Sequence, residues 1–138
     1  MLIRPRVVLA DDNQAILKSV SRLLVSDFDV VATVSDGQAA FDTVVALRPQ
    51  AIVLDLSMRG SSGLEVAKRL SALTDPPRIV FLTVHERRDF VAAAREAGAS
   101  GYVFKRNAGS DLIRVLNQTL SGLLVFPELS DEEKLVPD

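Results

Sequence analysis

The sequence predicts an alternating α/β domain built on a five-stranded parallel sheet. Two observations carry that expectation. Short apolar runs alternate with longer segments whose apolar residues recur at helical spacing, and five such pairs follow one another, as repeated βα units would. One run, AIVLDL at residues 51–56, is apolar at nearly every position, as a strand covered on both faces requires. The length of 138 residues suits one domain, and 48% apolar residues can fill a core without disulfide or metal staples.

RVVLA at 6–10 reads as the first strand. Residues 13–26 read as the first helix, with Ile16, Val20, Leu23 and Leu24 on its inner face. DVVATV at 29–34 is the second strand. Ser35-Asp36-Gly37 breaks it, and a helix over 38–47 runs to the stop near Pro49. Beyond the third strand, residues 60–63 read as a flexible loop with no phosphate-cradling pattern. Leu64, Ala67, Leu70 and Leu73 mark the next helix, which Asp75-Pro76-Pro77 ends. RIVFLTV at 78–84 is the fourth strand, 88–97 a helix closed by Gly98, and GYVFK at 101–105 the fifth strand. Ser110 or Asp111 is expected to cap a last helix to about residue 120, with Leu112, Ile113, Leu116 and Leu120 inward. The expected domain is 1–121, with 122–138 a tail or the start of a linker.

Composition narrows the function. With 16 basic and 18 acidic residues the net charge is −2, which argues against nucleic-acid binding through bulk charge. Cysteine is absent, so disulfide frameworks and thiolate metal sites are excluded, and a reducing cytoplasm is the expected compartment. No apolar run reaches the roughly 18 residues of a membrane span. The start, MLIRPRVVLADD, turns acidic where a secretion signal would stay apolar.

Ligands of parallel α/β sheets bind beyond the carboxyl ends of the strands. Asp11 and Asp12 follow strand one, Asp55 lies near the end of strand three, Thr83 ends strand four and Lys105 ends strand five. Three carboxylates, a hydroxyl and an ammonium therefore converge on one sheet edge. The carboxylates repel one another, and a divalent cation would relieve them. Hard oxygen donors, with no cysteine and one histidine, select magnesium. Asp55 is then placed as a nucleophile for a phosphoryl group, with Lys105 and the cation holding charge that spreads over its oxygens. Thr83 could hydrogen-bond one of those oxygens. Alone, Asp11-Asp12 could be a helix cap, Thr83 an ordinary strand residue and Lys105 a surface charge. Their joint position at the strand ends decides for the site.

VVLADDN at 7–13, AIVLDLSM at 51–58, IVFLT at 79–83 and GASGYVFK at 98–105 resemble the receiver family of bacterial two-component systems, over roughly residues 6–121. The resemblance implies a flavodoxin-like (βα)5 fold with strand order 2-1-3-4-5. It implies that Asp55 is the phosphoacceptor and that Asp11 and Asp12 serve magnesium together with the Ser57 backbone carbonyl. Thr83 and Tyr102 would form the switch pair, and Lys105 would bind phosphate. Tyr102 could equally be a structural tyrosine, since aromatics favour strands. Ser57 and His85 stand where the family's attacking water passes and would tune dephosphorylation; His85 could equally be a plain loop residue. Two positions depart from the common pattern. Arg59 replaces a frequent proline, which bears on the path of the loop, and Val84 replaces a smaller residue, so that it could crowd the phosphoryl pocket or slow the switch.

The implied partners are a histidine kinase or phosphotransfer protein, and a second copy through the face of helix four, strand five and helix five. Arg87, Arg88, Arg95, Lys105, Arg106 and Arg114 fall near that face and could form a partner surface or simply solvate it. A magnesium phosphatase with an aspartyl nucleophile would resemble D-x-D, whereas Ser57 stands two after Asp55. A pseudo-receiver would lack part of the set. A dinucleotide enzyme would need G-x-G-x-x-G after strand one, and it is missing. The segment 98–116 with Gly122 and Pro127 resembles the NarL/FixJ class, whose members continue into a DNA-binding helix-turn-helix. The acidic stretch 130–138 leaves no room for one, so the expectation is a receiver of a transcriptional regulator or a stand-alone receiver, with no direct nucleic-acid contact and no membrane.

Overall fold

The computed structural model describes residues 3–128. Its strands are β1 (Arg6–Ala10), β2 (Asp29–Val34), β3 (Ala51–Leu54), β4 (Arg78–Thr83) and β5 (Gly101–Phe104). Its helices are α1 (Gln14–Leu24), α2 (Gly37–Leu47), α3 (Gly63–Ser71), α4 (Arg88–Glu96) and α5 (Ala108–Leu120). All neighbours in the five-stranded sheet are parallel, in the order β2-β1-β3-β4-β5. Fold class and strand order match the expectation.

Alternation of side chains through the pleat explains the two cores. Val8, Ile52, Leu54, Ile79 and Phe81 face α2, α3 and α4, with Ala40, Val66, Leu70 and Ala94 covering them. Val7, Leu9, Val53, Val80 and Leu82 face α1 and α5, which supply Leu17, Val20, Leu24, Leu112 and Leu116. Burial of each large aliphatic or aromatic chain contributes about 2 kcal/mol. The inner face of α1 is centred on Leu17, Val20 and Leu24, while Ile16 and Leu23 flank it half-buried. Because β3 is central, its end at Leu54 places Asp55 at the carboxyl edge with β1 on one side and β4 on the other.

Two local expectations are corrected. Residues 60–63 are not a plain loop. Ser57–Met58 and Ser61–Ser62 pair antiparallel around Gly60, and Ser61 Oγ accepts the Gly37 N–H at 2.8 Å, tying this hairpin to α2. The last helix starts earlier than Ser110. A 3-10 turn, Lys105–Asn107, runs straight into α5 at Ala108, and Ser110 instead hydrogen-bonds the Asn107 carbonyl and Asp111. Beyond residue 121, Val125 bridges to Gly101 at the sheet edge. The acidic stretch 130–138 lies outside the described residues.

Gly63 is required by close approach. Its N–H donates to the Leu56 carbonyl at 2.8 Å, and a Cβ there would sit 2.1 Å from the Asp55 carbonyl oxygen and 2.9 Å from Leu56 Cα. Both obstacles are backbone, so neither can swing aside. Gly63→Ala should destabilise the domain by about 3 kcal/mol, the upper range for overpacking. Urea unfolding checks this, and a wild-type midpoint would contradict it.

Candidate functional site

β1 and β3 are parallel neighbours whose following helices lie on opposite faces of the sheet, which opens a crevice at their carboxyl ends. Asp11, Asp12 and Asp55 meet there, each offering a carboxylate oxygen within 4.8 Å of the others. Asp11 and Asp55 are buried and Asp12 is half-buried. Lys105 Nζ lies 2.8 Å from Asp11 Oδ2 and 3.1 Å from Asp55 Oδ2, so one ammonium bridges the two buried carboxylates. Burial pushes the Asp55 carboxyl above its ordinary range. The Lys105 charge pulls it back, and the Asp11 charge pushes it up again. Burial works to lower the Lys105 ammonium, but its hydrogen bond to Asp11 and the fields of Asp55 and Asp11 hold it above its ordinary value.

Backbone amides fix the carboxylates. Asn13 N–H donates to Asp11 Oδ1 at 2.9 Å while its own side chain caps α1. Arg59 N–H donates to Asp12 Oδ2 at 2.9 Å. That bond gives the Arg59 departure a physical meaning, because proline at this position would have no N–H to offer. Ser57 N–H approaches Asp55 Oδ1 at 3.5 Å. A cleft lined by Asp12, Asp36, Arg59, Ser61 and Glu65, among others, opens beside Asp12, giving that side of the trio access to solvent.

On the β4 side, Thr83 is fully buried, and its Oγ1 accepts the His85 N–H at 3.3 Å. His85 also hydrogen-bonds Ser57 Oγ through Nε2 at 3.0 Å and stacks on Phe90 at 4.3 Å. Sequence reasoning placed Ser57 and His85 near the site but missed that they touch. Only the fold brings residues 28 apart together, so no local signal announced it. Tyr102 is 3% exposed, and its hydroxyl donates to the His85 carbonyl at 2.7 Å. Val84 is 66% exposed and points away, so it does not crowd the pocket. Four of the arginines near that face make local contacts. Arg106 forms two hydrogen bonds with Glu86 at 2.6 and 2.7 Å, Arg87 pairs with Asp89, Arg114 with Asp111, and Arg95 lies over Phe126.

This arrangement can hold a small hard cation. Its donors are oxygens, and three carboxylates face one ammonium, which leaves net negative charge for a cation to offset. It also presents a carboxylate, Asp55, with an ammonium on one side and a buried hydroxyl on the neighbouring strand, as phosphoryl transfer to an oxygen nucleophile needs.

Residues 7–117 match the family described as response regulator receiver domain. The chain belongs to that family. Among curated relatives, it is 33% identical over 125 residues to a nitrate/nitrite response regulator protein homolog of Haemophilus influenzae, covering 89% of this chain and 60% of the relative. It is 32% identical over 127 residues to the nitrate/nitrite response regulator NarL of Escherichia coli, covering 90% and 59%. The chain thus spans somewhat over half the length of these relatives. A LuxR-family two-component response regulator from Aurantimonas has a solved structure that superposes with a TM-score of 0.85 at 28% identity, covering 96% of this chain and 94% of that one. The receiver domain of NarL from Mycobacterium tuberculosis superposes with a TM-score of 0.83 at 27% identity, covering 88% and 99%. No helix among the described residues is long and apolar enough to cross a membrane.

Proposed function

We propose that this chain is a phosphorylation switch whose Asp55 takes a phosphoryl group from a histidine kinase or phosphotransfer protein and passes the change to an output partner, in transcriptional regulation. The observation that carries this is the Lys105 ammonium shared between Asp11 and Asp55 beside a third carboxylate, Asp12. An Asp55 carboxylate oxygen attacks phosphorus, the bond from phosphorus to the donor atom breaks, and the donor leaves with that electron pair. Lys105 stays within reach of the new phosphoryl oxygens. Thr83, whose Oγ1 accepts the His85 N–H, keeps its own O–H proton to donate to one of them. Asp11, Asp12, Asp55 and the Ser57 carbonyl would hold magnesium, which supplies charge stabilisation for the phosphoryl oxygens. Hydrolysis reverses the bond order: water attacks phosphorus, the acyl phosphate bond breaks, and the water proton passes to solvent. Self-phosphorylation and self-dephosphorylation are the only reactions required, so the protein acts as a switch rather than as an enzyme with turnover on a separate substrate. Output runs through the face of α4, β5 and α5, which could also join two copies.

Incubating the protein with acetyl phosphate and magnesium should add one phosphoryl group by intact mass. A folded protein that gains none would overturn the reading.

The Ser57–His85 hydrogen bond supports a further role for that pair. It links the loop after Asp55 to the end of β4, the side along which the family resemblance brings the attacking water. His85→Ala should open that path and shorten the phosphoryl lifetime about tenfold, the scale on which positioning a reactant matters. Following the decay by native mass spectrometry checks it, and an unchanged or longer lifetime removes His85 from the mechanism.

A further inference from the structure

Beyond α5 the chain does not leave the domain. Gly122, with φ of +103°, turns it, and Leu123 N–H returns to the Gln118 carbonyl at 3.1 Å. Val125 then lies parallel to Gly101 on the open edge of β5. Its N–H donates to the Ser100 carbonyl at 2.8 Å, and its carbonyl accepts the Tyr102 N–H at 3.1 Å. Phe126 packs half-buried against the core layer that contains Tyr102, Val91 and Ala94, and the Arg95 guanidinium of α4 covers its ring at 4.3 Å. A parallel ladder would next require the N–H of residue 127, and Pro127 has none. Pairing is therefore limited to one bridge, enough to hold the segment and too little to make it a permanent sixth strand.

The position of this bridge matters more than its strength. It grips the backbone of Tyr102, whose hydroxyl holds the His85 carbonyl, and His85 in turn holds Thr83 Oγ1 and Ser57 Oγ beside Asp55. Phe126 and Arg95 add α4 to the same chain of contacts. Mere cover for an edge strand would need neither connection.

We propose that residues 123–126 are a strap that forms part of the switch, holding Tyr102 and α4 in the buried arrangement that favours a phosphorylated Asp55, so that the chain leaving the domain and the phosphoacceptor are energetically coupled. The proposal rests on the receiver reading above. Coupling is reciprocal, so loosening the strap must weaken a phosphoryl mimic at Asp55, although no strap residue touches it.

The test measures beryllofluoride affinity in the presence of magnesium for the full chain, alongside amide exchange at Tyr102 and Val125. Phe126→Ala and Arg95→Gln are the variants. The second alters an exposed side chain and leaves the core intact. Both should speed exchange of the two amides and weaken beryllofluoride binding three- to tenfold, with melting still far above the assay temperature. Unchanged or tighter binding together with faster exchange would overturn the proposal, as would unprotected Tyr102 and Val125 amides in the wild type. If the wild type itself binds no beryllofluoride, the phosphoacceptor reading fails and the coupling with it, an outcome distinct from a variant-specific null.

Discussion

Asp55→Asn is expected to abolish phosphoryl uptake and, in the same protein, to raise thermal stability at neutral pH. The first effect follows from losing the nucleophilic oxygen. The second follows from the cost of burying the charge. The Asp55 carboxyl is held above its ordinary range chiefly by burial. A group raised on folding contributes stability that is present below its unfolded titration and lost as pH rises through the folded one. At pH 7 the Asp55 charge therefore works against the fold, and asparagine removes the charge while keeping the shape. Lys105 is not orphaned by the change, because Asp11 still holds it at 2.8 Å. The variant should melt higher by roughly 2–4 °C for each kcal/mol recovered. The gain should shrink as pH falls into the range where wild-type Asp55 takes up its proton. Scanning calorimetry across pH checks the sign. A variant that melts at or below wild type at pH 7, or still gains phosphate at the wild-type rate, would contradict it.

Chelating divalent cations is expected to stop phosphorylation by small phosphodonors, and Asp12→Ala to weaken magnesium binding by about tenfold or more. Asp12 is the sensitive position because its two buried neighbours already share the Lys105 ammonium, whereas Asp12 is half-buried and held by the Arg59 amide. Magnesium should also raise the melting temperature of the wild type, since it binds the folded trio and not the unfolded chain. Isothermal titration gives the affinities. Phosphorylation that proceeds unchanged in excess chelator would sink the metal assignment.

Much of this was legible in the residues. The five strands were readable because each is an apolar run bounded by turn residues, and the site was readable because chemistry in a parallel sheet gathers where strands stop. The strand order came from the family resemblance, since periodicity cannot order strands. What stayed hidden was non-local. GSSG reads as a loop because two-residue ladders have no periodicity, yet Ser61 reaches α2 and Gly63 passes within contact of the Asp55 backbone. Ser110 reads as a helix cap because nothing local shows that Lys105–Asn107 already turns. The bridge from Val125 to Gly101 is equally non-local, and only the apolar run LLVF between Gly122 and Pro127 hints at a short pairing segment. Tyr102 could be placed on the edge strand, but which way it faces depends on a carbonyl 17 residues away.

The most direct test of the central claim locates the phosphoryl bond itself. Protein treated with acetyl phosphate and magnesium is reduced with borohydride, which converts an acyl phosphate to the corresponding alcohol, and the digest is sequenced by tandem mass spectrometry. The account predicts homoserine at position 55 and aspartate retained at positions 11 and 12. Homoserine at another carboxylate, or phosphate retained on a hydroxyl or on His85, would contradict it.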